Sequence, residues 1–220
     1  MNMLGPLLSA DPATPRFTIY DDARGIRMDF SAQTLDNWAS KVANMLDEEF
    51  DLSPDASIVI DLPVSWQAAV IAVGTFNSSR TPLIDDPATA PDIVFTTPER
   101  ADKWTSAAEC VLVSDDPFGR GIVEAGGTLP PGTVDFGPTV RFYGDAYFGI
   151  SPELSTFAED GIEAERYLVQ GWQGTDGFRT VVLAPLAAGG SVVAVTGLAS
   201  ADRLREITDA EKVTRVIEQQ

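Results

Sequence analysis

Histidine is absent from this 220-residue sequence, cysteine occurs once, at Cys110, and lysine only three times, at Lys41, Lys103 and Lys212. Each scarcity removes a class of chemistry. Without imidazole the chain has no Ser–His or Cys–His nucleophile pair and no histidine-held metal. One thiolate neither closes a zinc site nor forms an intramolecular disulfide, which fits a reducing, cytoplasmic setting. Basic residues are outnumbered: 15 Lys plus Arg face 33 Asp plus Glu, for a formal charge of −18. Phosphate backbones and anionic membranes demand Lys/Arg clusters, so neither nucleic acid nor a membrane surface is expected as a partner. The acids fall in short groups such as Asp21-Asp22, Asp47-Glu48-Glu49, Asp85-Asp86, Asp115-Asp116 and Glu159-Asp160. These read as solvated loop and helix-end charges, and no EF-hand-type loop arranges them around a cation, so no metal is expected.

What is present suits a globular core. The N-terminal stretch MNMLGPLLSADPATPRF lacks a basic segment before its apolar residues and does not read as a signal peptide. The uncharged run Thr180–Ala201 is long enough to raise a transmembrane question, but it holds Pro185, the Gly189-Gly190 pair and Gly197. A buried helix ending near Ala188, a Gly-Gly turn and a strand Ser191–Val195 explain it better than a spanning helix.

Hydrophobic spacing supplies the other elements. Leu35, Trp38, Val42, Met45 and Leu46 form one helical stripe beginning near Ser31, with Lys41 and Asn44 off it. Its acidic end, Asp47-Glu48-Glu49, opposes the helix dipole, so burial of Trp38 and Leu46 is expected to hold that terminus. Ser57–Leu62 reads as a strand stopped by Pro63, Trp66–Gly74 as a helix and Thr81–Ile84 as a strand. Ile93–Thr96, Pro98–Ala108 and Cys110–Ser114 repeat the strand–helix–strand pattern, which favours a parallel sheet. Residues 115–138 are dense in Gly and Pro and read as an irregular excursion. Thr139–Phe142 reads as a strand, residues 149–160 as an exposed loop, Tyr167–Gln170 as a strand and Thr175–Ala188 as a helix interrupted by Pro185. Thr208 and Glu211 have the spacing of a capping box opening a C-terminal helix. The expectation is an α/β protein, mainly parallel sheets with flanking helices. It comprises a lobe over 1–114, the excursion and loop over 115–160, and a segment over 161–220 packing back on the first lobe.

Residues 30–87, from FSAQTLDNWASKVANML through DLPVSWQ to the Asp86-Pro87 mark, resemble the opening of AMP-forming acyl-CoA synthetases. Residues 167–195, YLVQGWQGTDGFRTVVLAPLAAGGSVVAV, are similar to a later part of the same enzymes. The combination of LDNWASKVANML, DLPVSWQ, DPFGRG and APLAAGGSVV resembles, more narrowly, a small uncharacterised actinobacterial family distantly related to them. The resemblance implies part of the large N-terminal domain of those synthetases. It also implies that the strands at 57–62 and 191–195 share one sheet. The sequence departs from the enzymes' pattern: it has no phosphate loop ending in Pro-Lys-Gly, no aromatic-Gly-x-Thr-Glu motif and no catalytic lysine. Such chemistry needs clustered N–H donors and a cation around phosphate. A shortened, catalytically reduced relative without a cofactor is therefore expected.

One segment offers a ligand contact. Gly171, Trp172, Gly174, Thr175, Asp176 and Gly177 join a strand to a helix, where free N–H groups and bare backbone admit a ligand. The same residues also make an ordinary turn and cap. Asp61 ends a strand near where α/β sheets place ligands, or caps the next helix. Cys110, Trp38 and Trp66 read as core. Tyr143, Tyr147 and Phe148 flank a Gly144-Asp145 turn and either cover a cleft, meet a partner or pack the excursion. Three functions stay open: a binding protein for a small acyl, nucleotide or CoA-type ligand, an interaction protein acting through self-association or a partner surface, and, ranked last, an enzyme working with acids and tyrosine alone.

Overall fold

The computed structural model describes residues 2–86, 89–197 and 199–218. Pro87 of the Asp86-Pro87 mark lies outside them. In chain order the elements are α1 (Gly5–Ala10), β1 (Pro15–Asp21), β2 (Ile26–Ser31), α2 (Ala32–Glu48), β3 (Ile58–Asp61), α3 (Trp66–Asn77), β4 (Pro82–Ile84), β5 (Ile93–Thr96), β6 (Glu109–Leu112) and β7 (Val134–Asp135). They continue as α4 (Phe136–Phe142), β8 (Arg166–Val169), α5 (Gly174–Phe178), α6 (Ala184–Ala187), β9 (Ser191–Thr196), α7 (Ala201–Glu211) and β10 (Arg215–Ile217). The chain divides into two units, one of Met1–Leu35, Val64–Trp66 and Pro152–Gln220, the other of Asp36–Pro63 and Gln67–Ser151. Among the described residues no helix is long and apolar enough to cross a membrane.

The first unit holds a sheet in the order β10-β8-β9-β1-β2, parallel except for the β1–β2 hairpin. Alternation along the strands gives it two buried faces. Tyr20, Leu168, Val193 and Val195 pack against Ile207 of α7, with Leu204 and Val213 at the margin. Phe17 points the other way, its ring 6.1 Å from Phe30 and 6.4 Å from Trp172. Between α5 and α6 the helix widens into a π turn over Arg179–Leu183. Pro185 has no N–H to give and its ring crowds the preceding turn, so a widened turn there lets the chain continue. The expected interruption at Pro185 thus takes the form of a wider turn rather than a break.

Glu211 at the end of α7 ties this unit together. It accepts hydrogen bonds from Tyr20 Oη at 2.6 Å, Arg27 Nε at 2.7 Å and Arg166 Nη2 at 2.5 Å. Arg166 also donates to Thr18 Oγ1, Ser191 Oγ and the Glu211 carbonyl. Burial alone would raise the Glu211 carboxyl; the donors from Arg27, Tyr20 and Arg166 outweigh it and hold the group at about 2. This corrects the capping-box expectation. Helix α7 begins eight residues earlier, where Ser200 Oγ accepts from Arg203 N at 3.1 Å, and Thr208 and Glu211 lie in its last turn.

The second unit holds an all-parallel sheet in the order β4-β3-β5-β6-β7. Ile58, Val59, Ile60, Ile93, Val94 and Phe95 are buried at consecutive positions, as in a sheet covered on both faces. Helices α2 and α3 approach closely at Gly74, where a Cβ would stand 2.5 Å from Val42 Cβ. The acidic end of α2 is held mainly by Arg80, whose side chain is 6% exposed. Its guanidinium donates to Asp47 Oδ1 at 2.8 Å, to the Ser53 carbonyl at 3.0 Å and to the Leu52 carbonyl. Leu46 is fully buried as expected, but Trp38 is only half-buried, so a cation rather than the indole offsets the dipole at this terminus.

Other expectations change. β3 and β9 lie in different sheets: β9 pairs with β1 and β8, so the return of the chain at 166–196 is to the hairpin at 15–31, which the sequence reading did not assign. Thr139–Phe142 is helical within α4, because Asp135 turns the chain and Pro138 suits a first helical turn. Pro98–Trp104 is a 3₁₀ helix rather than an α-helix reaching Ala108. Within 149–160, Leu154 and Phe157 are buried on a short 3₁₀ turn.

Replacing Glu211 by Gln is expected to cost about 2–4 kcal/mol at pH 7, since it leaves Arg166 and Arg27 without their shared charge. Because the folded carboxyl is depressed from 4.5 to about 2, its contribution is complete above pH 4.5 and lost as the pH falls through 2. Urea unfolding of both proteins should show their stability gap beginning to close below pH 4.5.

Candidate functional site

The carboxyl ends of adjacent parallel strands are where open α/β sheets leave room for ligands. In the second unit, the chain leaving β3, β5 and β6 encloses a cleft of about 620 Å³. Pro63 contributes from the end of β3, Thr97, Pro98, Glu99 and Arg100 from β5, and Val113, Ser114 and Asp115 from β6. Ile122, Ala125, Gly127 and Thr128 of the excursion form the remaining wall.

The strand exits are fixed by polar side chains. Asp61 accepts from Arg100 Nη1 at 2.7 Å and Trp104 Nε1 at 2.8 Å, which locks the 3₁₀ helix onto the end of β3. The Asp61 carboxylate is thus a brace for the cleft wall, neither a water-exposed group nor a helix cap. Gln67 of α3 donates to the carbonyls of Ser114 and Asp116, at 3.2 and 2.9 Å.

The Gly/Pro-rich excursion is irregular, yet its turns are held by three carboxylates. Asp116 accepts from the Phe118 and Arg120 N–H groups at 2.9 and 3.2 Å, and from the Arg120 guanidinium at 2.7 Å. The Arg120 side-chain bonds keep its carboxyl below the usual range against the opposing effect of burial. Asp135 accepts from Ile122 and Val123 N–H at 3.0 and 3.3 Å. Glu124 accepts from Gly121 N–H at 2.7 Å and from Arg141 at 2.5 Å. The cleft wall at 122–128 therefore rests on a braced loop.

The lining carries three charged side chains. Its cation, Arg100, is engaged with Asp61, while Glu99 and Asp115 add negative charge. Cys110 is half-buried on β6, and burial pushes its thiol up, away from the thiolate a nucleophile needs.

The turn singled out in the sequence belongs to the first unit. Gly171 is buried with φ +78°, and a Cβ there would lie 3.3 Å from Val64 Cγ2, so glycine is required for backbone reasons. Trp172 is 5% exposed, with its ring 5.2 Å from Phe178 in an edge-to-face contact and 6.4 Å from Phe17. Gly174, Thr175, Asp176 and Gly177 lie in the five-residue α5, whose preceding residue Gln173 makes no side-chain cap. Packing accounts for Trp172 without a ligand. Trp66 is likewise core, its ring 5.5 Å from Phe30. Sequence reasoning missed the cleft residues because only the strand ends marked them, and nothing local paired the ends of β3, β5 and β6.

With this geometry in hand, relatives place the chain. No family model matches it. A TIGR03089 family protein of Mycobacterium tuberculosis (strain ATCC 25618 / H37Rv) is 37% identical over 240 residues, covering 98% of this chain and 96% of that protein. The chain belongs to the TIGR03089 family. Among solved structures it is similar to the acyl-CoA synthetase of Brucella canis (TM-score 0.74, 13% identity) and the acetoacetyl-CoA synthetase of Streptomyces lividans (TM-score 0.70, 13% identity). Each likeness covers 98% of this chain but only 47% and 42% of those chains. At this identity the likeness shows the fold: this family member has an acyl-CoA-synthetase-like α/β scaffold of parallel sheets with flanking helices.

Replacing Trp172 by Ala is expected to cost about 3–5 kcal/mol in ligand-free protein, because it opens a cavity between Phe17 and Phe178. Replacing exposed Asp176 by Ala should cost under about 1 kcal/mol. Denaturant melts that rank the two the other way would give the turn a role beyond packing.

Proposed function

We propose that this TIGR03089 family member is a non-catalytic, acyl-CoA-synthetase-like binding protein that takes a small acyl-type ligand in the cleft at the carboxyl edge of its second sheet. The observation that carries the reading is the composition of that cleft. Its volume, about 620 Å³, lies in the range of small-molecule sites. Pro63, Pro98, Val113, Ile122 and Ala125 supply apolar surface, and Thr97 and Thr128 supply hydroxyls, the Ser114 hydroxyl being given to the Arg120 carbonyl. A nucleotide or the phosphates of CoA would meet Glu99 and Asp115, with Arg100 already committed to Asp61. An uncharged acyl body escapes that repulsion, and so is favoured over nucleotide and CoA-type ligands. The non-catalytic part rests on the chain's own residues: no histidine, no phosphate loop followed by lysine, and a thiol suppressed by burial. A lone free cysteine and the absence of disulfides suit a cytoplasmic protein.

A second reading, an interaction protein, is favoured by a separate observation: most of the strongly exposed large apolar side chains fall within residues 118–150.

Thermal-shift measurements with an N-acetylcysteamine octanoyl thioester, octanoyl-CoA, AMP and ATP test the first reading. At about 100 times Kd the neutral thioester should add about 2.7 kcal/mol, a rise of several degrees. AMP and ATP should give no rise. Ala125→Trp, at the exposed rim of the cleft, should abolish the thioester shift while leaving the unliganded Tm within about 2 °C. Equal shifts with AMP, or a shift that survives Ala125→Trp, would overturn the assignment.

A further inference from the structure

The segment following α4 combines two properties that rarely coincide, a tightly fixed backbone and outward apolar side chains. Its backbone is held by α2 and α3. Lys41 Nζ donates to the Tyr143 carbonyl at 2.6 Å and pairs with Asp145 at 2.8 Å. Asn44 Nδ2 donates to the Gly144 and Ala146 carbonyls, both at 3.1 Å. Tyr147 Oη donates to Asp47 at 2.8 Å, Tyr143 Oη to Glu49, Ser79 Oγ to the Ile150 carbonyl at 2.8 Å, and Ser151 Oγ to Asn77 Oδ1 at 3.1 Å. Yet Phe142, Phe148 and Ile150 are 87%, 93% and 82% exposed. Phe118 and Val123, also exposed, sit on the excursion that Arg141 binds through the Gly119 carbonyl and Glu124. Five of the six large apolar residues that stand exposed among the described residues thus lie within 118–150 of one unit. Singly scattered exposed apolar residues are ordinary; Phe142, Phe148 and Ile150 stand out because nine residues of braced backbone carry all three.

The charges around this surface select its occupant. Asp47, Glu48, Glu49 and Asp145 stand against Lys41, which is paired with Asp145, and Arg80, which is buried beneath Asp47. Burial and the hydrogen bonds to Glu49 and Asp47 push Tyr143 and Tyr147 up to about 12, so both stay protonated donors. A second copy of the chain would bring its own −18 and the same acidic rim. A basic partner would instead be drawn in, since complementary charge speeds encounter and fixes register while apolar anchors hold the complex.

We infer that Phe142 at the end of α4, with Phe148 and Ile150 on the loop braced by Lys41, Asn44 and Asp47, forms a docking surface for a basic amphipathic segment of another protein. The inference stands independently of the cleft.

The test uses the full chain and two 18-residue amphipathic peptides, one of Leu and Lys and one of Leu and Glu, in 0.15 M salt. Fluorescence anisotropy should show micromolar binding of the Leu/Lys peptide and none of the Leu/Glu peptide. Phe148→Ser combined with Ile150→Ser leaves the net charge at −18 and should weaken binding at least tenfold, with an unchanged far-UV spectrum and Tm. Val216→Ser, an exposed apolar residue in the other unit, should bind as the parent does. Equal binding by the Phe148/Ile150 variant would reduce the effect to bulk charge and overturn the proposal. So would an absence of binding, or wild-type dimerisation in sedimentation velocity that this variant abolishes, which would name a second copy as the occupant.

Discussion

The first unit depends on a single carboxylate. Glu211 stands at the end of α7 and receives donors from β1, β2 and β8 through Tyr20, Arg27 and Arg166, while Arg166 reaches on to Thr18 and Ser191 of β1 and β9. Three strands and a helix therefore share one charged acceptor, and a fourth strand joins through Arg166. Such a group is costly to bury and worth keeping only when its donors are all in place. It also changes how the acidic composition should be understood. An excess of acid over base does not make every acid a surface charge. Glu211, Asp116, Asp135 and Asp61 each accept from several donors and organise the chain around them. The second unit uses the opposite sign for the same purpose, with Arg80 gathering the Leu52 and Ser53 carbonyls and the Asp47 carboxylate.

How much of this was legible in the sequence follows from the range of each interaction. Helix α2, helix α3 and strands β3, β5 and β6 were readable because hydrophobic period is a local property, and the α/β class followed from their alternation. Partner choice was not. β9 is a buried apolar run in either sheet, and nothing in Ser191–Val195 says that it pairs with Phe17–Asp21 rather than with Ile58–Asp61. The hairpin at 15–31 escaped notice for a related reason: Arg16, Thr18 and Asp29 interrupt its pattern, and their partners, the Gly189 and Gly190 carbonyls and the Arg166 guanidinium, come from far along the chain.

The one local motif that misled did so because a short pattern can serve two ends. Thr208 and Glu211 have capping-box spacing, but Ser200 offers an equally good cap with more helix behind it, and Glu211 is bound by arginines instead. Gly171 to Gly177 is another short pattern with two readings, a ligand turn and an ordinary turn and cap. There the glycine at φ +78° answers a backbone need and Trp172 fills a space between Phe17 and Phe178. By contrast, Lys41 and Asn44 were read only as the polar side of α2, and that side turns out to hold the loop at 143–151 in place.

Fold likeness to acyl-CoA synthetases does not settle what such a scaffold does, because function resides in the groups placed on it. The decisive groups here are charges at the carboxyl edge of the second sheet. A site for phosphorylated ligands needs uncommitted cations or convergent N–H donors, since nothing else offsets several negative charges at close range. In this cleft Arg100 is turned toward Asp61, and the excursion's N–H groups at 118, 120, 121, 122 and 123 are taken up by Asp116, Glu124 and Asp135. The same bonds that make the loop rigid consume the donors a phosphate would require. What the scaffold leaves free is apolar surface and the Thr97 and Thr128 hydroxyls, and that is the ground for proposing an uncharged ligand.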